Sequence, residues 1–130
     1  MKPIFGTLIP ALALSIAAGA ETPIACNLGA LSPAERARHR ELIAMMKANV
    51  AELRELPDGY AFRFAGDRMR DLGEWTILEA KCCPFLLFDL RLQPGGDAWL
   101  ELRGRSEVKD FIAAEFDPLI RLAVAKAGRP

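Results

Sequence analysis

The chain is poor in the residues that most often carry catalysis. It has one histidine, His39. A serine–histidine–acid triad would have to use His39, and no nucleophile elbow accompanies it. There is no glycine-rich phosphate loop; Gly95-Gly96 stands beside Pro94 and reads as a hairpin turn. There is no Cys-x-x-Cys pair, so thioredoxin-like exchange lacks its usual signature. Charge of one sign is also missing. Lysine and arginine number 17 and so do aspartate and glutamate. No basic surplus exists to neutralise phosphates. Nucleic-acid binding and adhesion to an anionic membrane surface therefore lose electrostatic support.

What remains is a globular composition, 52% hydrophobic and 26% charged, in a chain of 130 residues. That length suits one domain. The first twenty residues differ from the rest. Lys2 is their only charge, Ile4 to Ile16 is almost wholly apolar, and Ala18-Gly19-Ala20 has the small-x-small form of a cleavage site. This is the pattern of a secretory signal peptide over 1–20, leaving a single domain over 21–130. The apolar run is short for a membrane span, so no stable membrane insertion is expected after cleavage. The expected location is periplasmic or secreted.

Periodicity places the elements. Ser32-Pro33-Ala34-Glu35 predicts a helix start, with a capping box and a proline where no donor is needed. The helix should reach about Asn49 and bury Leu42, Met45 and Met46. Pro57-Asp58-Gly59 predicts a hairpin turn between a strand over 50–56 and a second strand carrying Tyr60, Phe62 and Phe64. A second helix should run from Asp67 to Lys81 with Leu72, Trp75, Leu78 and Cys82 on one stripe. Pro84 should end it. A strand over 85–92, a turn at 94–97 and a strand over 98–103 follow. A last helix carries Val108, Phe111, Ile112 and Phe116, with Asp117-Pro118 either kinking or restarting it. The order α-β-β-α-β-β-α is a loose repetition of helix then hairpin. It predicts an α+β fold, an antiparallel four-stranded sheet with helices packed on one face.

The cysteines are the distinctive feature. There are three, Cys26, Cys82 and Cys83. An odd count in an oxidising compartment leaves at least one thiol unpaired within the chain. Cys82 and Cys83 are adjacent, and adjacent cysteines seldom bond to each other because the small ring strains the disulfide. They lie at a helix C-terminus, where the dipole disfavours thiolates. A cation would reverse that balance, and Lys81 is a neighbouring positive charge. Cys26, in an irregular leader, can supply a third sulfur. Three thiolates suit a soft ion such as mercury, copper(I), zinc or arsenite. Glu79 precedes Cys82 by three residues and Cys83 by four. On a helix that puts its carboxylate near both sulfurs, as an accessory ligand or a solvated charge.

Other readings stand beside this one. Cys82 fits an apolar stripe and can be a small buried hydrophobe. A structural disulfide from Cys26 to Cys82 or to Cys83 suits an exported chain. His39 has nothing at fixed spacing to make it a ligand or base, and reads as a surface or boundary residue. Trp75, Trp99, Tyr60 and the phenylalanines read as core, as do Met45 and Met46.

Glu79-Ala80-Lys81-Cys82-Cys83-Pro84-Phe85, followed by Phe88, resembles a segment of a group of small, uncharacterised bacterial proteins marked by E-x-x-C-C-P-F. Ala25-Cys26-Asn27-Leu28 and Leu56-Pro57-Asp58-Gly59-Tyr60 belong to the same resemblance, which covers roughly 25–116. The group implies no defined activity, and occurrence among heavy-metal resistance functions is the association it carries. Its members look cytosolic, and the apolar N-terminus here is a departure from them.

The favoured reading is a small exported protein binding a thiophilic metal ion or an unknown small ligand through Cys26, Cys82 and Cys83, with Glu79 accessory. The alternatives are a non-catalytic structural or interaction domain with one disulfide, and a thiol-dependent enzyme with Cys83 as nucleophile.

Overall fold

The computed structural model describes Pro3 and residues 23–128. Apart from Pro3, the expected signal peptide lies outside the described residues.

The first helix, α1, spans Pro33–Asn49 and starts as its sequence predicts. Ser32 Oγ accepts from the Glu35 N–H at 3.1 Å, and the Glu35 carboxylate accepts from the Ser32 N–H at 3.0 Å. Two otherwise orphaned donors are satisfied by two side chains. The buried face of α1 carries His39, Leu42 and Met46. Strand β1 (Glu52–Leu56) turns through Pro57-Asp58 into β2 (Gly59–Ala65). Helix α2 (Met69–Cys82) follows a single tight turn at Gly66–Arg68. Strands β3 (Leu87–Leu92) and β4 (Asp97–Arg103) form the second hairpin. Its turn holds Gly95 at φ 97° and Gly96 at φ 96°. Residues with a Cβ rarely adopt that conformation.

The sheet order is β1-β2-β4-β3 and every pairing is antiparallel. The two hairpins therefore meet through their second strands, with Phe62 opposite Leu100 and Tyr60 opposite Leu102. The inner face buries Phe62, Phe64, Leu100 and Leu102 completely. Helix α2 lies against β3 and the closing helices lie against β1, β2 and β4. On the outer face Arg54 covers the ring of Trp99 at 4.1 Å, and Glu101 sits between Arg91 and Arg103. The fold is α+β, with helices packed against the sheet. Among the described residues no helix is long and apolar enough to cross a membrane.

One local expectation is corrected. The strand expected from Phe85 begins at Leu87, because Leu86 closes a turn by donating to the Cys83 carbonyl at 3.2 Å. Leu92 is 60% exposed at the end of this edge strand. The last helical stretch is two helices, α3 (Ser106–Glu115) and α4 (Asp117–Ala127). Pro118 has no N–H to continue α3 but suits the first turn of α4.

The hairpins approach closely at Gly59. A Cβ built there would lie 1.9 Å from the Leu102 carbonyl oxygen. Gly59→Ala should therefore destabilise the chain by about 1–3 kcal/mol in urea unfolding. An unchanged midpoint would show that the strands can separate freely at this point.

Candidate functional site

Helix α2 builds the site with its last turn. Leu72, Trp75, Leu78 and Cys82 form the predicted buried stripe. Glu79, next to Leu78, goes inward with them and is 3% exposed. The Cys83 N–H donates to the Glu79 carbonyl at 2.7 Å and closes the helix before Pro84. Both cysteines are buried at this terminus.

The leader docks onto the same terminus. The Asn27 N–H donates to the Cys82 carbonyl at 2.8 Å, which satisfies a carbonyl the helix leaves unpaired. Asn27 Oδ1 accepts from the Gly29 N–H at 3.0 Å and caps the short turn Leu28–Ala30. Arg36 Nη1 donates to the Leu31 carbonyl at 2.7 Å. These contacts hold Cys26 beside Cys83, and the two form a disulfide with Cα atoms 4.7 Å apart. Of the alternatives the sequence left open, the bridge goes to Cys83. Cys82 remains a free, buried thiol.

His39 is the residue that sequence reasoning placed wrongly. It is 8% exposed and its Nε2 lies 2.6 Å from Glu79 Oε2. Its ring stacks on Trp75, with centroids 6.4 Å apart. Glu79, read as an accessory ligand or solvated charge, is not solvated. A buried carboxylate needs a hydrogen-bond partner, and the sole histidine supplies it. The available signal was spacing: His39, Leu42 and Met46 are three and four residues apart on one helix face. Lys81 does not face the sulfurs. It pairs with Glu35 and holds that carboxyl below its usual range.

The ligand-type groups form one continuous cluster. Cys82 Sγ lies 3.8 Å from Glu79 Oε2 and 3.9 Å from Cys83 Sγ. The donor atoms of Cys26, Glu79 and Cys83 all lie within 4.8 Å of one another, and so do those of His39, Glu79 and Cys82. Ligand atoms on one tetrahedral ion are roughly 3.3–3.8 Å apart, given metal–ligand bonds of about 2.0–2.3 Å. The observed spread is within reach of side-chain rotation. All four residues predicted for the site are thus brought together, and His39 joins them.

Burial pushes the Cys82 thiol up to about 11, and the nearby Glu79 carboxylate adds to the shift. A thiol with a raised folded pKa contributes stability below its unfolded pKa and loses it as pH rises through the folded value. For Cys82 that window runs from its ordinary value of 9.0 to about 11. At pH 8 its thiolate population should be about a hundredfold below that of an ordinary cysteine. Alkylation by iodoacetamide should be correspondingly slow in the folded oxidised chain and fast in guanidinium. An ordinary rate under native conditions would contradict the burial.

The buried pair makes a second prediction. His39→Leu and Glu79→Leu should each cost about 1–3 kcal/mol, because each strands the other polar group. The double variant should cost clearly less than their sum. Additive losses in denaturant titration would mean that the two side chains are uncoupled.

Comparison with protein-family models, curated proteins and solved structures finds no match to this chain.

Proposed function

We propose that this is an exported protein whose reduced form captures a thiophilic metal ion with the thiolates of Cys26, Cys82 and Cys83. Glu79 is the accessory ligand, and His39 fixes its carboxylate. One observation carries the reading: three sulfurs, a carboxylate and an imidazole converge in one cluster, buried except for the half-buried Cys26. The softness of the donors suits mercury, copper(I), arsenite or zinc. The resemblance of the Glu79–Phe85 segment to E-x-x-C-C-P-F proteins points the same way.

Electrostatics supports capture of a cation. Glu79, and more weakly Glu115, oppose a bare thiolate at Cys82. The same negative field attracts a metal ion, which replaces the thiol proton. The Cys26–Cys83 disulfide must first open. A dithiol reductant supplies two electrons and two protons, its own sulfurs become a disulfide, and two thiols appear on the chain. Besides the disulfide, the leader is held by the Asn27 N–H on the Cys82 carbonyl and by Arg36 on the Leu31 carbonyl.

The disulfide itself favours a second reading, an exported structural or interaction domain whose leader is stapled by Cys26–Cys83. The bridge spans a sequence separation of 57, and closing such a loop stabilises a chain by about 4 kcal/mol. A thiol enzyme with Cys83 as nucleophile gains no support, since Cys83 is bonded and the thiol pKa of Cys82 is raised rather than lowered.

Native mass spectrometry on metal-free chain separates the two main readings. The reduced form should take up one mercuric, cuprous or arsenite ion, and the oxidised form should take up none. Replacing Cys82 and Cys83 together with serine should abolish uptake. A reduced chain that loses its metal to millimolar glutathione would leave the structural reading in place.

A further inference from the structure

The cluster does not end in close-packed side chains. Cys26, Cys82, Glu79, His39 and Glu115 share a cavity of about 360 Å³ with Ile43, Phe111 and Phe116. A second cavity of about 200 Å³ also touches Ile43 and Phe116 and adds Met46 and Leu119. Cys83 does not line the larger cavity, so the sulfurs that meet it are those of Cys26 and Cys82.

Sites that only hold a metal are closed by their ligands, and this one opens beyond its sulfurs. Leu28, Ile43, Phe111 and Phe116 share its wall with His39, Glu79 and Glu115, so an apolar group has partners that the metal does not use. Apolar cavities of about 150 Å³ are large enough to admit benzene. We infer that the ligand of this site is a thiophilic metal or metalloid that carries one organic group, bound by sulfur at the metal and by Ile43, Phe111 and Phe116 at the substituent. The inference rests on the thiolate-capture reading and narrows its ligand class.

The binding step is a ligand exchange. A sulfur of Cys26 or Cys82 forms a bond to the metal, the bond from the metal to its departing anion breaks, and the thiol proton leaves to solvent. The carbon–metal bond is kept and no electrons are transferred. An organometal monocation needs fewer sulfurs than a bare dication, in keeping with two of the three facing the cavity.

The test uses the reduced full chain with glutathione as competitor and three probes: phenylmercury, methylmercury and mercuric ion. Phenylmercury should bind about tenfold more tightly than methylmercury, because only its ring fills the apolar walls. Leu28 also lines the cavity and is 51% exposed, so a larger side chain there has room in solvent and leaves the core intact. Leu28→Trp should abolish the phenyl preference and leave mercuric uptake unchanged, and Ile43→Phe should act in the same direction. Equal affinity for the two organic probes, or a preference that survives both substitutions, overturns the inference while mercuric uptake upholds the capture reading. Loss of all three probes to glutathione overturns the capture reading as well.

Discussion

A carboxylate inside the core is the constraint on which the site depends. Glu79 lies on the face of α2 that packs inward, between Leu78 and the buried end of the helix. Stripping water from that group is costly unless something replaces the water. His39 does so from α1, at 2.6 Å, and thereby ties α1 to α2. Trp75 packs against the imidazole, and Phe88 and Phe116 meet Trp75 edge-on. The polar pair is thus enclosed by rings from α2, β3 and the α3–α4 junction. Apolar residues of similar size would stabilise a core at least as well. The pair therefore adds little net stability, and its geometry is what it contributes to the core.

The second constraint is the docked leader. The end of a helix leaves carbonyls without partners, and Asn27 takes the one at Cys82. That contact sets the position of Cys26. The disulfide and the hydrogen bond hold the leader at the same helix end, one through a side chain and the other through the backbone.

Most of the fold was legible because its signals are local. The capping box at Ser32 and Glu35, the stripe through Leu72, Trp75, Leu78 and Cys82, and the two glycine-containing turns each state their structure within a few residues. The α3–α4 break was legible as an ambiguity at Asp117-Pro118. Strand order was not, since joining the hairpins through β2 and β4 depends on contacts between distant segments such as Gly59 and Leu102. At the site, the meeting of Cys26 with the adjacent cysteines was one reading the sequence offered, beside a Cys82 that is simply a small buried hydrophobe. The choice of Cys83 over Cys82 depends on which way each side chain leaves the last turn of α2, a difference that spacing does not encode. His39 was misplaced for a related reason. A single histidine among arginines and glutamates looks like surface until the partner forty residues away is known.

A free thiol 3.9 Å from a disulfide sulfur invites exchange. Attack requires the thiolate, and its rate follows the thiolate population. At Cys82, burial and the Glu79 carboxylate keep that population low. Exchange with the adjacent Cys83 sulfur would also close the strained ring that neighbouring cysteines form. The raised thiol therefore keeps the Cys26–Cys83 pairing from scrambling while leaving an unoxidised sulfur at the cavity. Burial is the larger part of that protection and the carboxylate the smaller. Under the proposed capture of a cation, the carboxylate's field would work the other way, drawing the ion to the sulfur it keeps protonated.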